Sequence, residues 1–213
     1  MGVNMWRVHQ YAVIPLLLAI AFQQQVPKKQ GQNYYLKPDQ SADLARDTKL
    51  ITARQSCENW ALAAGLETML QQQNVALDQS FWVMRLNGGE LCISDLPRIE
   101  TLTQAVNKEF VLDDGRHVRL EIHFTPGPPI NVDPLIARLK LQQVTLLLLR
   151  GHPYYLTGLT YDERIGRDGT RFFEVKEIRL ANTFAKLPGV TFEKGRDDPA
   201  EIQGILSVTA TQL

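Results

Sequence analysis

Arg54-Gln55-Ser56-Cys57-Glu58-Asn59-Trp60-Ala61-Leu62-Ala63-Ala64 sets one of the two cysteines of this chain at the start of an apolar helix. Trp60, Ala61, Ala64 and Met69 fall on one face, and good helix formers continue through Gln73. A thiol at that point lies at the positive end of the helix dipole, beside unpaired backbone N–H groups, and both favour the thiolate. Downstream, a histidine opens a strand in Gly151-His152-Pro153-Tyr154-Tyr155, and an asparagine closes one in Leu180-Ala181-Asn182. Nucleophilic catalysis by a thiol needs an imidazole that holds the thiolate and later protonates the leaving group. It also needs a polar group that orients the imidazole. Cys57, His152 and Asn182 are those three residue types.

Working outward, the helix beginning near Glu58 is expected to end at Gln73. Asp78 can N-cap a second one through Phe81, Trp82 and Leu86, broken by Asn87-Gly88-Gly89. Ser94-Asp95-Leu96-Pro97 starts a third, with Leu96, Ile99, Leu102 and Val106 on one face. The period then changes to two. Glu109–Leu112 and Val118–Phe124 read as a hairpin around Asp113-Asp114-Gly115-Arg116, with Val118, Leu120, Ile122 and Phe124 inward and His117, Arg119, Glu121 and His123 outward. Pro126-Gly127-Pro128-Pro129 is a rigid connector. Val132–Leu141 is a helix that leads into a buried strand over Val144–Leu149. Tyr154–Tyr161 and Phe172–Leu180 pair around Arg167-Asp168-Gly169-Thr170. Past Asn182 the signal weakens to short strands at Val190–Phe192 and Ile205–Val208. A helical first half and an antiparallel second half make the class α+β.

The 213 residues suit one domain whose core needs no staple. Lys+Arg 23 balances Asp+Glu 23, so nothing favours nucleic acid or an anionic membrane as partner. Arg7 and His9 precede an apolar run from Tyr11 to Phe22, too short to span a bilayer, with Ala19-Ile20-Ala21 as a signal-peptidase pattern. Residues 1–22 are therefore read as a signal peptide and 23–37 as a flexible leader. Residues 38–213 are read as the folded domain, in an oxidising secreted or periplasmic compartment. Ordered chain should begin between Tyr34 and Leu50.

Each candidate residue has an ordinary alternative. Cys57 is either a free nucleophile or the partner of Cys92 in a disulfide worth about 3–4 kcal/mol. Cys92, in Gly89-Glu90-Leu91-Cys92-Ile93, also suits a plain buried thiol. A nucleophile must be free, so the two cysteines are expected to be unbonded. His152 follows the apolar strand with Gly151 allowing close backbone approach; otherwise it is a loop histidine held by a carbonyl. Asn182 either ends a strand or accepts the Nδ1–H of His152, with Asp162 as rival orienter. Trp60, Phe81, Trp82, Tyr154 and Tyr155 line a cleft or fill the core. No H-E-x-x-H, paired C-x-x-C, G-x-S-x-G or phosphate loop occurs, so no metal or cofactor is expected. Asp113-Asp114-Gly115 matches a fragment of a calcium loop, which a hairpin turn accounts for.

The cysteine at a helix head followed by Trp60 and Ala61, the strand-opening His152 and the strand-closing Asn182 together resemble the papain-like cysteine peptidases. Within them the likeness is to bacterial exported members related to the AvrRpt2 effector peptidase, over about Thr52 to Phe184. The resemblance implies a papain-like fold with Cys57 at the head of the central helix. It implies Cys57 as nucleophile, His152 as general base and acid, and Asn182 as orienter, with Trp60, Gln55 and Tyr154 on the substrate side. Peptide or isopeptide bonds would be cleaved by a monomer with a peptide or protein substrate. Two positions depart from the family pattern. The tryptophan comes three residues after the cysteine, and Ile51 stands six residues upstream where the family has an oxyanion-binding glutamine; the only nearby glutamine, Gln55, is closer to the cysteine in sequence than the family's. Losing one such donor typically costs about 10²–10³ in rate. The alternatives are a catalytically silent papain-like binding domain, or an unrelated exported α+β domain with a Cys57–Cys92 disulfide.

Overall fold

The computed structural model describes residues 34–54, 57–89, 92 and 97–213. The signal peptide expected over 1–22, most of the leader, Gln55 and the helix start at Ser94–Leu96 lie outside the described residues. Among the described residues the protein is α+β, with four α-helices and one antiparallel sheet of eight strands.

The first helical stretch opens as a 3-10 turn, Glu58–Trp60, and continues as α1, Ala61–Gln71. α2 (Gln79–Asn87) begins where Asp78 Oδ1 accepts the Phe81 N–H at 2.8 Å, and ends on Gly88 at φ 70°. α3 is Ile99–Val106 and α4 is Asp133–Lys140. The strands are β1 (Tyr35–Asp43), β2 (Glu109–Val111), β3 (His117–Pro126), β4 (Leu146–Leu149), β5 (His152–Ile165), β6 (Arg171–Asn182), β7 (Val190–Glu193) and β8 (Ile202–Gln212). Their order is β2-β3-β8-β4-β5-β6-β7, with β1 on the same edge of β5 as β4, farther along it.

Two elements differ from expectation. β1, not expected as a strand from the sequence, reaches back to Tyr35, into the stretch read as leader, because Tyr35–Lys37 pair with Ile165–Glu163 and Lys37 meets Glu163 at 3.4 Å. β8 spans 11 residues rather than four and lies between β3 and β4. Its Ser, Thr and Gln residues mute its local hydrophobic signal, whereas backbone ladders along both edges stabilise it.

The sheet is covered on both faces. On one, α1, α2 and α3 pack over Leu120, Leu146, Tyr155, Leu206 and Val208. On the other, Leu135, Ile136 and Leu139 of α4 cover Leu147, Leu149, Leu156, Leu159 and Ile202. Leu146 and Leu147 thus go to opposite faces, as a strand with period two requires. Trp82 and Tyr155 are fully buried, so both belong to the core and not to a cleft. In the β2–β3 hairpin the inward and outward residues alternate as read from the sequence, with Phe124 half-buried. Asp114 accepts the backbone N–H and the Nε–H of Arg116 at 3.1 and 2.7 Å, the work of a turn residue.

α1 sits low on the sheet because Gly65 has no side chain. A Cβ there would come within 2.9 Å of Leu146 Cδ2 and closer still to Cδ1. Leu146 is fully buried, so it cannot turn out into solvent to make room. Gly65→Ala should therefore cost about 1–3 kcal/mol through overpacking, against the gain in helix propensity. Urea denaturation measures it, and an unchanged or raised midpoint would mean that the helix does not rest on Leu146.

Candidate functional site

The segment before α1 is pinned to the sheet at two points. The buried hydroxyl of Tyr155 donates to the Ile51 carbonyl and lies 2.8 Å from Thr68 Oγ1, while Thr68 Oγ1 accepts the Ile51 N–H at 3.0 Å. Burial drives the Tyr155 phenol far above its ordinary range, so it stays protonated as a donor. Two residues on, the Ala53 N–H donates to the Thr183 carbonyl at 2.6 Å. Cys57 follows in a turn closed by its own N–H on the Arg54 carbonyl at 2.9 Å. It is 6% exposed, in extended conformation, immediately before the 3-10 turn.

Thr183 also links this segment to the histidine. Its hydroxyl donates to the Pro153 carbonyl at 2.9 Å, and its oxygen lies 3.5 Å from His152 Nε2. His152 opens β5 after a two-residue loop, Arg150 at φ 51° and Gly151 at φ 78°. Two positive φ values in a two-residue hairpin define the type I′ turn that fits strand twist. A Cβ on Gly151 would meet nothing within 4 Å, so its use is this conformation and not the close approach expected of it. The loop is held from outside: Arg150 pairs with Glu201 at 2.6 Å, and the Gly151 N–H donates to Gln203 Oε1 at 2.7 Å.

β5 and β6 run antiparallel with Tyr154 opposite Asn182, which returns the end of β6 to the start of β5. Asn182 Oδ1 accepts the Phe184 N–H at 2.8 Å and lies 3.1 Å from His152 Nε2. Phe184 can only donate, so the amide oxygen is on that side, and an oxygen acceptor requires the proton on Nε2. The expected contact therefore exists through Nε2 and not through Nδ1. The half-buried Tyr154 ring stands edge-on to His152 at 4.9 Å between centroids.

Asp162 has no part in this end of the sheet. It lies ten residues farther along β5, held by Lys176 at 2.7 Å and by the Asp39 N–H at 3.0 Å. The Lys176 hydrogen bond keeps its carboxyl below the usual range. Trp60 is buried beneath Arg54, whose guanidinium is 4.6 Å from the ring centroid, so its face is already covered. Gln55 is outside the described residues. Thr183, fully buried between the two segments, escaped the sequence reading because a lone threonine after a strand carries no pattern.

Cys57 is not free. It is joined to Cys92, with Cα atoms 5.7 Å apart, within the window for a disulfide and against the expectation of two unbonded cysteines. α1, α2 and α3 share one core, and that packing brings position 92 back to the start of α1 although 35 residues separate the cysteines. Asn59 Nδ2 donates to Cys92 Sγ at 3.6 Å. Among the described residues, no helix is long and apolar enough to cross a membrane, and no group of three or more His, Cys, Asp or Glu is placed to hold a metal ion. No family model, curated protein or solved structure matches this chain.

On the chain-entropy account a cross-link over 35 residues is worth about 4 kcal/mol. The double variant Cys57→Ala, Cys92→Ala should lose stability on that scale in urea denaturation. A loss below about 1 kcal/mol would show that the bond constrains the unfolded chain far less than its span implies.

Proposed function

We propose that this protein is an exported thiol hydrolase of papain-like architecture, acting on peptide or isopeptide bonds, with its nucleophile stored as the Cys57–Cys92 disulfide. The observation that carries the reading is the His152 Nε2–Asn182 Oδ1 hydrogen bond, next to the Ala53–Thr183 bond by which the cysteine segment meets the same strand ends. A cross-link alone gives no reason for a histidine with one ring nitrogen held by an amide oxygen.

The chemistry begins when an external thiol or dithiol reduces the disulfide, leaving Cys57 and Cys92 as thiols. His152 Nδ1 takes the Cys57 proton, and Asn182 holds the ring in that tautomer and stabilises the imidazolium. The thiolate attacks the scissile carbonyl carbon. Collapse of the tetrahedral adduct expels the amine, which leaves with the proton from Nδ1. Water, deprotonated by His152, then hydrolyses the thioester and restores the thiol. Tyr154, edge-on to the imidazole, borders the substrate side; Trp60 supports the turn from below. A secreted or periplasmic site of action suits both the disulfide and the apolar run near the N-terminus.

The disulfide itself favours one other reading, a stapled domain that binds a partner without catalysis. Hydrolysis of fluorescein-labelled casein with and without reductant separates the two. We expect turnover only after reduction, and losses of about 10²-fold or more in Cys57→Ala and His152→Ala. A smaller loss is expected in Asn182→Ala, since an orienter biases only geometry and tautomer. In His152→Ala, alkylation of reduced Cys57 should move toward the pH range of an ordinary thiol, about 8.5. Reduced protein that stays folded yet hydrolyses no faster than Cys57→Ala would leave the stapled domain as the answer.

A further inference from the structure

We propose that Asn59 supplies the oxyanion donor of this site, an inference that rests on the thiol-hydrolase reading above. The position six residues upstream of the nucleophile, where a side-chain amide serves in the family this chain resembles, is Ile51 and has no donor to offer. The backbone N–H of Cys57 is already given to the Arg54 carbonyl at 2.9 Å. A developing oxyanion therefore needs another group.

The disulfide marks where that group must be. Cys92 Sγ is bonded to Cys57 Sγ, so it stands where the acyl carbon of a substrate is bonded during catalysis. The Asn59 side-chain amide donates to that stand-in atom at 3.6 Å. The carbonyl oxygen of an acyl group projects about 1.2 Å from its carbon. Directed about 45° off the line to Asn59 Nδ2, it lies in the range of about 2.7–3.1 Å at which oxyanion donors act.

The backbone position of Asn59 does not depend on the cross-link. Asn59 is the middle residue of the 3-10 turn Glu58–Trp60, closed by the Trp60 N–H on the Cys57 carbonyl at 3.3 Å and by the Ala61 N–H on the Glu58 carbonyl. Trp60 anchors the turn in the core. Opening the disulfide removes Cys92 Sγ and leaves the amide facing the carbon that replaces it. In the acylation step the Cys57 thiolate forms the C–S bond, and the carbonyl π pair moves onto oxygen. Asn59 N–H donates to that oxyanion, and its collapse restores the carbonyl and expels the leaving group.

The test uses the reduced full-length protein and p-nitrophenyl acetate, whose acylation passes through the same oxyanion. Alkylation by iodoacetamide is followed in parallel, because displacement at a saturated carbon creates none. Asn59→Ala and Asn59→Asp should lower kcat on the ester by about 10²–10³-fold with little change in KM, while Cys57 alkylation keeps the wild-type rate. Ester turnover in Asn59→Ala within about threefold of wild type would overturn the assignment. Alkylation falling in step with ester turnover would overturn it too, since Asn59 would then act on the thiolate or on the fold. Wild-type protein no faster than Cys57→Ala on the ester defeats the hydrolase reading itself and this inference with it, an outcome recognisable because Asn59 plays no part in that comparison.

Discussion

The Tyr155 hydroxyl, shut between helix and sheet, joins the three parts from which the candidate site is assembled. It donates to the Ile51 carbonyl in the approach to α1 and contacts Thr68 within α1, while its own strand, β5, begins with His152. Burial raises the pKa of a phenol that deep, which keeps it protonated as a donor. With this junction and the Ala53–Thr183 bond in place, the direction of the chain from Ile51 to Cys57 is determined. Gly65 lets α1 lie close enough to Leu146 for those bonds to form.

The far end of the long β5–β6 hairpin is built differently. There Lys37 and Arg171 meet the buried Glu163, Lys176 bridges Asp39 and Asp162, and Arg179 meets Asp43 and Glu177. Lys37–Glu163, Lys176–Asp39 and Arg179–Asp43 fasten β1, an edge strand with a proline and several charges, to the sheet. Such residues also discourage pairing with another chain. Asp162 belongs to this network, which is why it does not compete with Asn182. The His152 end carries one ion pair on its loop, Arg150–Glu201, and otherwise neutral hydrogen bonds.

The disulfide and the histidine–asparagine pair bear differently on function. The S–S bond is sufficient as a staple, yet it joins the residue at the start of α1 and brings the amide of Asn59 to its outer sulfur. On the hydrolase proposal, a group covalently held on Cys57 Sγ occupies the space of a reacting acyl group, and the same bond would block attack on a substrate until it is reduced. On the staple reading, the bond only ties the start of α1 to position 92.

Much of this was legible in the residues themselves. Hydrophobic periodicity located all four helices and the two long hairpins, because each buries an unbroken face against the sheet; Asp78 and Gly88 marked the ends of α2 by local chemistry. The juxtaposition of His152 and Asn182 also followed from the sequence, since an antiparallel return brings the end of one strand to the start of the other. What local patterns do not encode, tertiary structure decided. β8 became a central strand through ladders to β3 and β4 that no window of neighbouring residues contains. Trp60, Trp82 and Tyr155 were ambiguous between cleft and core until packing buried them. Asn182 engages Nε2 rather than Nδ1 because the Phe184 N–H and the turn before His152 set both orientations. Cys57 and Cys92 are bonded because helix packing brings two distant Cα atoms to 5.7 Å, a distance that depends on the whole core and on no single segment.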